Sequence, residues 1–177
     1  MEVQKNNLTK LCSFYVSDWH LVTMLLPYIN QKINEQAKIA TILEKDIEEN
    51  VITLVEKLNL KNKEKILNLN WNKNEDLKRD VKKLRDEKQL VIFINGSKKF
   101  IEKQNIKVMK YFETHNIKQT VKIVNCYEVM EFNGSIQEIL DEHDKILNTS
   151  GEKEITDIFM DYERNNNQEQ KAVVGLE

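Results

Sequence analysis

Thr120 to Asn148 reads TVKIVNCYEVMEFNGSIQEILDEHDKILN, a run of β-branched and apolar residues followed by a polar turn and a segment with helical apolar spacing. Strand, turn and amphipathic helix in that order make a late unit of an α/β fold. The spacing predicts a strand over Thr120 to Val129 and a helix over about Ser135 to Leu147, with Cys126 and Tyr127 near the strand end.

Immediately upstream, Leu90 to Ile94 (LVIFI) is continuously apolar, the pattern of a strand covered on both faces inside a parallel sheet, and it is the best candidate for the central strand. Ser97 opens a helix to about His115, with Phe100, Ile101, Val108, Tyr111 and Phe112 facing inward. At the front of the chain Leu8 to Val16 reads as a strand, and Ser17 is a natural cap for a helix from Asp18 to about Gln36. That helix carries Trp19, Val22, Leu25, Leu26, Ile29 and Ile33 on one face, while Pro27 removes a backbone donor and should kink it. Lys38 to Leu43 (KIATIL) is a short buried strand, and Asp46 caps a helix through Leu58. Ile66 to Trp71 is a further strand candidate, and Asn74 to Lys88 is a highly charged helix with Leu77, Val81 and Leu84 as its buried stripe. Glu154 to Tyr162 either adds a last helix or pairs with a neighbouring molecule. Alternation of this kind predicts a three-layer α/β/α sandwich, Rossmann-like, with a mostly parallel sheet of five strands and five helices.

The 177 residues fit one domain, 1–163, followed by a polar tail, 164–177, whose terminal Leu-Glu has the form of a cloning scar. The 27 basic and 29 acidic residues nearly balance, so no net field calls for nucleic acid or an anionic membrane. Leu21 to Ile29 is the longest apolar run, far short of the roughly 20 residues a membrane helix needs. Two widely separated cysteines make no metal spacing, and the opening residues lack the order of a secretory signal, so a cytoplasmic location is expected.

Parallel sheets present ligands at the carboxyl ends of their strands, which singles out the turns at residues 15–19, 44–46, 71–74, 95–97 and 127–131. The first of these, FYVSDWHLVT, has no glycine or lysine for a phosphate and places Asp18 where phosphate would be repelled. Asn95-Gly96-Ser97-Lys98-Lys99 could hold an anion at a helix start, although a tight turn with exposed lysines is the simpler account. His20, His115 and His143 sit on separate helices without metal spacing; only His20 is near a strand end. Cys12 and Cys126 read as small buried hydrophobes. Trp71, between Asn70 and Asn72, suits a small-molecule pocket and equally suits a shield for the sheet edge. No metal and no cofactor is expected.

Leu11-Cys12-Ser13-Phe14-Tyr15, Leu25 to Ile33 (LLPYINQKI) and Ile123 to Val129 (IVNCYEV) together resemble the MEDS family of sensory domains. The resemblance spans about residues 8–148 and implies a RecA-like core without a working phosphate loop. Lys10 stands where the family usually has a first-strand histidine, and Asn95-Gly96 where a glycine-glutamate pair commonly follows the fourth strand. A role tied to either group is therefore not carried over. The resemblance implies a non-catalytic sensory domain of bacterial signal transduction that binds a small organic molecule and acts on a partner such as a kinase or transcription factor.

The expected ligand site comprises Tyr15, Ser17, His20, Trp71, Asn95, Gly96 and Tyr127. One alternative is an interaction module without a small ligand, docking through the 74–88 helix or the C-terminal segment. Another is an unusual enzyme built on Glu128 and Glu131 beside Cys126 and Tyr127. A homodimer is expected on the general ground that such domains pair through an edge strand or outer helix.

Overall fold

A computed structural model describes residues 7–74, 88–131 and 136–165. All of the expected charged helix over 74–88 except its end residues, the start of the helix at Ser135, the side chain of Glu131 and nearly all of the expected tail lie outside the described residues.

The sheet has six strands in the order β2-β3-β4-β1-β5-β6, with β1 Leu8–Tyr15, β2 Lys38–Leu43, β3 Gln89–Gly96, β4 Thr120–Glu128, β5 Lys145–Asn148 and β6 Gly151–Lys153. The first five are mutually parallel, and β6 closes an antiparallel hairpin on β5. The described helices are α1 Asp18–Asn34, α2 Glu49–Lys57, α3 Lys63–Leu67, α4 Lys98–His115, α5 Ile136–Asp141 and α6 Ile155–Ile158.

Strand alternation sorts the apolar residues into two cores, one on each face of the sheet. Val91, Phe93, Val124 and Tyr15 pack under α1, α2 and α3. Ile92, Ile94, Ile123 and Tyr127 pack under α4, α5 and α6. A chain buried on both faces needs the continuous apolar run seen at LVIFI, and β3 is indeed a central strand. The two serines act as caps: Ser17 Oγ accepts from His20 N at 3.1 Å and Ser97 Oγ from Phe100 N at 3.2 Å, each satisfying an orphan donor of a helix start. The Asp46 expectation differs, since Glu48 holds the cap position of α2 and the Asp46 carboxylate instead accepts from Lys73 N.

Two elements correct the expected architecture. Residues 66–71 are not a strand: Ile66 lies in α3, and the chain then turns so that Trp71 Nε1 donates to Ile66 O at 2.9 Å. The open edge of β2 is met by Asn74, whose side chain accepts from Leu43 N and whose backbone N donates to Leu43 O, both at 3.0 Å. One residue, Asn74, thus blunts the edge of β2 through its side chain and its backbone.

The helix expected to run to Leu147 ends at Asp141, and Lys145–Asn148 is a strand. Asp144 is the cause. Its carboxylate accepts from Lys10 N and its own N donates to Lys10 O, both at 2.8 Å, which latches the chain to β1. Ile146 and Leu147 then enter opposite cores, as strand neighbours must and helix neighbours on one stripe would not. The sheet therefore has six strands, and Glu154 to Tyr162 contributes the short α6.

His143 is buried beneath this latch, with Asn125 Nδ2 at 2.9 Å from its Nε2 and its Nδ1 against Ile139 O. Burial pushes its pKa down to about 4, because a charged imidazolium would be desolvated there. The unfolded chain takes up a proton near the ordinary histidine value of about 6.5, so stability is full above that pH and falls as pH drops towards 4. The expected loss across the window is about 3 kcal/mol. Urea titrations between pH 7.5 and 4.5 check this, and His143→Gln should flatten the slope.

Candidate functional site

Four strand ends reach one level of the sheet. Tyr15 pairs with Glu128, Gly96 with Tyr127, and Leu43 with Asn95. The helix after β1 packs on one face, whereas the helices after β3 and β4 pack on the other. Where successive connections diverge, the chain leaves a gap, and a crevice of about 310 Å³ opens there.

Tyr15, Asn95 and Gly96 line this crevice. The Tyr15 hydroxyl donates to Asn95 Oδ1 at 2.6 Å, fixing both side chains. Burial holds the phenol far above its usual range, and the negative charges of Glu128 and Asp18 act in the same direction. Tyr15 is therefore a neutral hydrogen-bonding group, not a phenolate.

The rest of the lining is dominated by carboxylates. Asp18, Glu44, Asp46, Glu48 and Glu128 face the same space, and among the described residues Lys45 is the one cation in the lining. Three of these acids also hold the backbone. Asp18 Oδ2 accepts from Glu48 N at 3.0 Å, tying the first turn of α1 to the loop after β2. Asp46 Oδ1 accepts from Lys73 N at 2.6 Å. Glu44 crosses to the start of α4, where its two oxygens accept from Ser97 N and Ser97 Oγ, both at 3.2 Å.

Glu44 therefore occupies the position where a phosphate would meet the amides of α4. Asp18 lies in the first turn of α1. The starts of α1 and α4 each have a carboxylate of the chain beside them, and the cap residue of α2 is itself Glu48, so the crevice favours positive charge and disfavours phosphate. The anion site read from Asn95-Gly96-Ser97 is filled from within.

Gly96 permits this arrangement. A Cβ there would stand 2.6 Å from Phe100 Cδ1 and 2.9 Å from Glu44 Cβ. Both contacts are shorter than packed atoms tolerate, so the glycine serves close approach.

Other expected site residues lie elsewhere. Ser17 is used as the α1 cap. His20 Nδ1 accepts from Val16 N at 3.0 Å, which leaves Nε2 as the protonated nitrogen of the neutral ring. Trp71 is in the core under α1 and α2, and its part is indirect: its carbonyl accepts from Ile47 N at 2.9 Å, supporting the crevice loop. Tyr127 is in the opposite core, its ring against Phe14 and edge-on to His143. Sequence reasoning missed Glu44, Lys45, Asp46 and Glu48 as one surface. Each is an ordinary loop residue by itself; the strand-end rule marked the 44–46 turn, and nothing in the sequence marked Glu48.

Burial pushes the Cys12 thiol up to about 12 and the Cys126 thiol higher still. An activated nucleophile needs the opposite shift. Among the described residues no three His, Cys, Asp or Glu side chains are grouped to hold a metal ion, and no helix is long and apolar enough to cross a membrane. Comparison of the chain with family models, curated proteins and solved structures finds no match.

Gly96→Ala should destabilise the fold by about 1–3 kcal/mol through overpacking against Glu44 and Phe100, measured by urea denaturation. A wild-type midpoint would show that the Glu44 loop moves freely and that the close approach is not needed. Both thiols should stay unmodified by a thiol reagent in the native state and react on unfolding, which a timed colorimetric assay reads directly.

Proposed function

We propose that the chain is a sensory, non-catalytic module of the MEDS type whose strand-end crevice binds a small organic cation, such as an amine, and passes that event to a partner protein. The carrying observation is the lining itself: five carboxylates against one ammonium around a neutral Tyr15–Asn95 pair. An ammonium entering this space gains charge-assisted hydrogen bonds from acids that otherwise repel one another. Tyr15 and Asn95 supply the neutral polar contacts that orient an organic body, as small-molecule pockets do with a few fixed groups. The motifs in β1, α1 and β4 support the sensory assignment, and the buried, high-pKa thiols support a binding role over a nucleophilic one.

Binding should appear as a rise in melting temperature with a panel of mono- and diamines, and no rise with phosphate or nucleotides. Glu128→Gln combined with Glu48→Gln removes two lining charges without touching the loop contacts made by Asp18, Glu44 and Asp46, and should weaken amine binding by roughly 10-fold or more. Stabilisation by nucleotides, or amine binding indifferent to the double variant and to salt, would overturn the reading.

A further inference from the structure

The crevice has an apolar rim on its β1–β4 side. Tyr15 and Glu128 are register partners, so the two strands leave the sheet side by side. The residues that follow are apolar and exposed: Val16 at 59%, Trp19 in the first turn of α1 at 40%, Val129 at 41% and Met130 at 81%. Val16, Trp19 and Val129 each directly follow a lining residue, Tyr15, Asp18 and Glu128, with Met130 next after Val129, and none of the four itself lines the crevice. An exposed aromatic and a methionine beside aliphatic residues are the ingredients of a contact surface, and methionine adapts its shape to what it meets.

We propose that this rim is the docking surface for a basic segment of a second protein, which lays apolar side chains on Val16, Trp19, Val129 and Met130 and extends a lysine or arginine into the crevice. The inference rests on the reading of the crevice as a cation site and names the partner's chemistry. Charge decides the occupant. An acidic segment would be repelled by Asp18, Glu48 and Glu128, and a neutral one would cover these carboxylates without pairing them, leaving desolvated charge. An anionic lipid surface is disfavoured on the same ground. A basic segment satisfies the apolar and the acidic parts together.

A consequence follows for signalling. The small cation and the partner's basic side chain claim the same carboxylates, so each weakens the other by the same factor. Occupation of the crevice then releases the partner, with no rearrangement of the sheet required.

The test uses the full chain and two designed, fluorescein-labelled amphipathic peptides of helical spacing, one of leucine and lysine and one of leucine and glutamate, followed by fluorescence anisotropy. The lysine peptide should bind in a salt-dependent manner and the glutamate peptide should not. Val16→Ser with Met130→Ser, at two exposed positions outside the crevice lining, should weaken the lysine peptide by roughly 10-fold or more. 1,4-Diaminobutane should displace the peptide from the wild type. The rim variant should keep its thermal shift with the diamine. Equal binding of both peptides, lysine-peptide binding unaffected by the rim variant, or self-association lost in the rim variant with no peptide bound, would each overturn the proposal. Failure of the diamine to stabilise the wild type while peptide binding remains rim-dependent would instead sink the small-cation reading.

Discussion

The position of β1 between β4 and β5, with its following helix on one face and the helices after β3 and β4 on the other, is the constraint from which the rest of the molecule follows. Because parallel strands end at one level, their outgoing turns must share a small area. Because the helices diverge to opposite faces, that area stays open. The chain then fills the corner at the start of α4 with its own Glu44, held at 3.2 Å from both Ser97 N and Ser97 Oγ and admitted by the missing side chain at Gly96. Glu44 converts a location that suits phosphate in many α/β proteins into one that suits positive charge.

The loops around the crevice are braced through polar contacts, and the one after β2 also through Ile47, which is buried in the core. Asp18 ties α1 to Glu48, Asp46 ties the same loop to Lys73, and the Trp71 carbonyl holds Ile47 from the core side. A lining carboxylate that also accepts a backbone N–H is fixed in position, so the proposed cation would meet preset acceptors and lose less entropy on binding. Glu48 and Glu128 supply further negative charge at the same opening.

Much of the architecture is legible in the residues, and the reasons are local. LVIFI has the continuous apolar pattern of a strand covered on both sides, and Ser17 and Ser97 mark helix starts because their hydroxyls satisfy orphan amides in place. What local pattern hides is decided at a distance. Ile146 and Leu147 extend a helical reading until Asp144 pairs with Lys10, a contact across more than a hundred residues. Ile66 and Trp71 look like strand residues, yet Asn74 takes the β2 edge through its side chain and its backbone. The crevice was half visible: Tyr15, Asn95 and Gly96 follow from the strand-end rule, whereas its charge does not. In a chain with 29 acidic residues no single Glu or Asp stands out, and only folding brings acids from three separate segments to one opening.

The central claim is that the crevice holds a positively charged small molecule. Native against denaturing mass spectrometry of the protein as purified from cells tests it most directly. The expected result is a reproducible extra mass that disappears on denaturation, belongs to a compound bearing an amine or other cation, and is lost in the Glu128→Gln, Glu48→Gln double variant. A bound nucleotide or other anion, or an added mass that survives removal of those carboxylates, would contradict it.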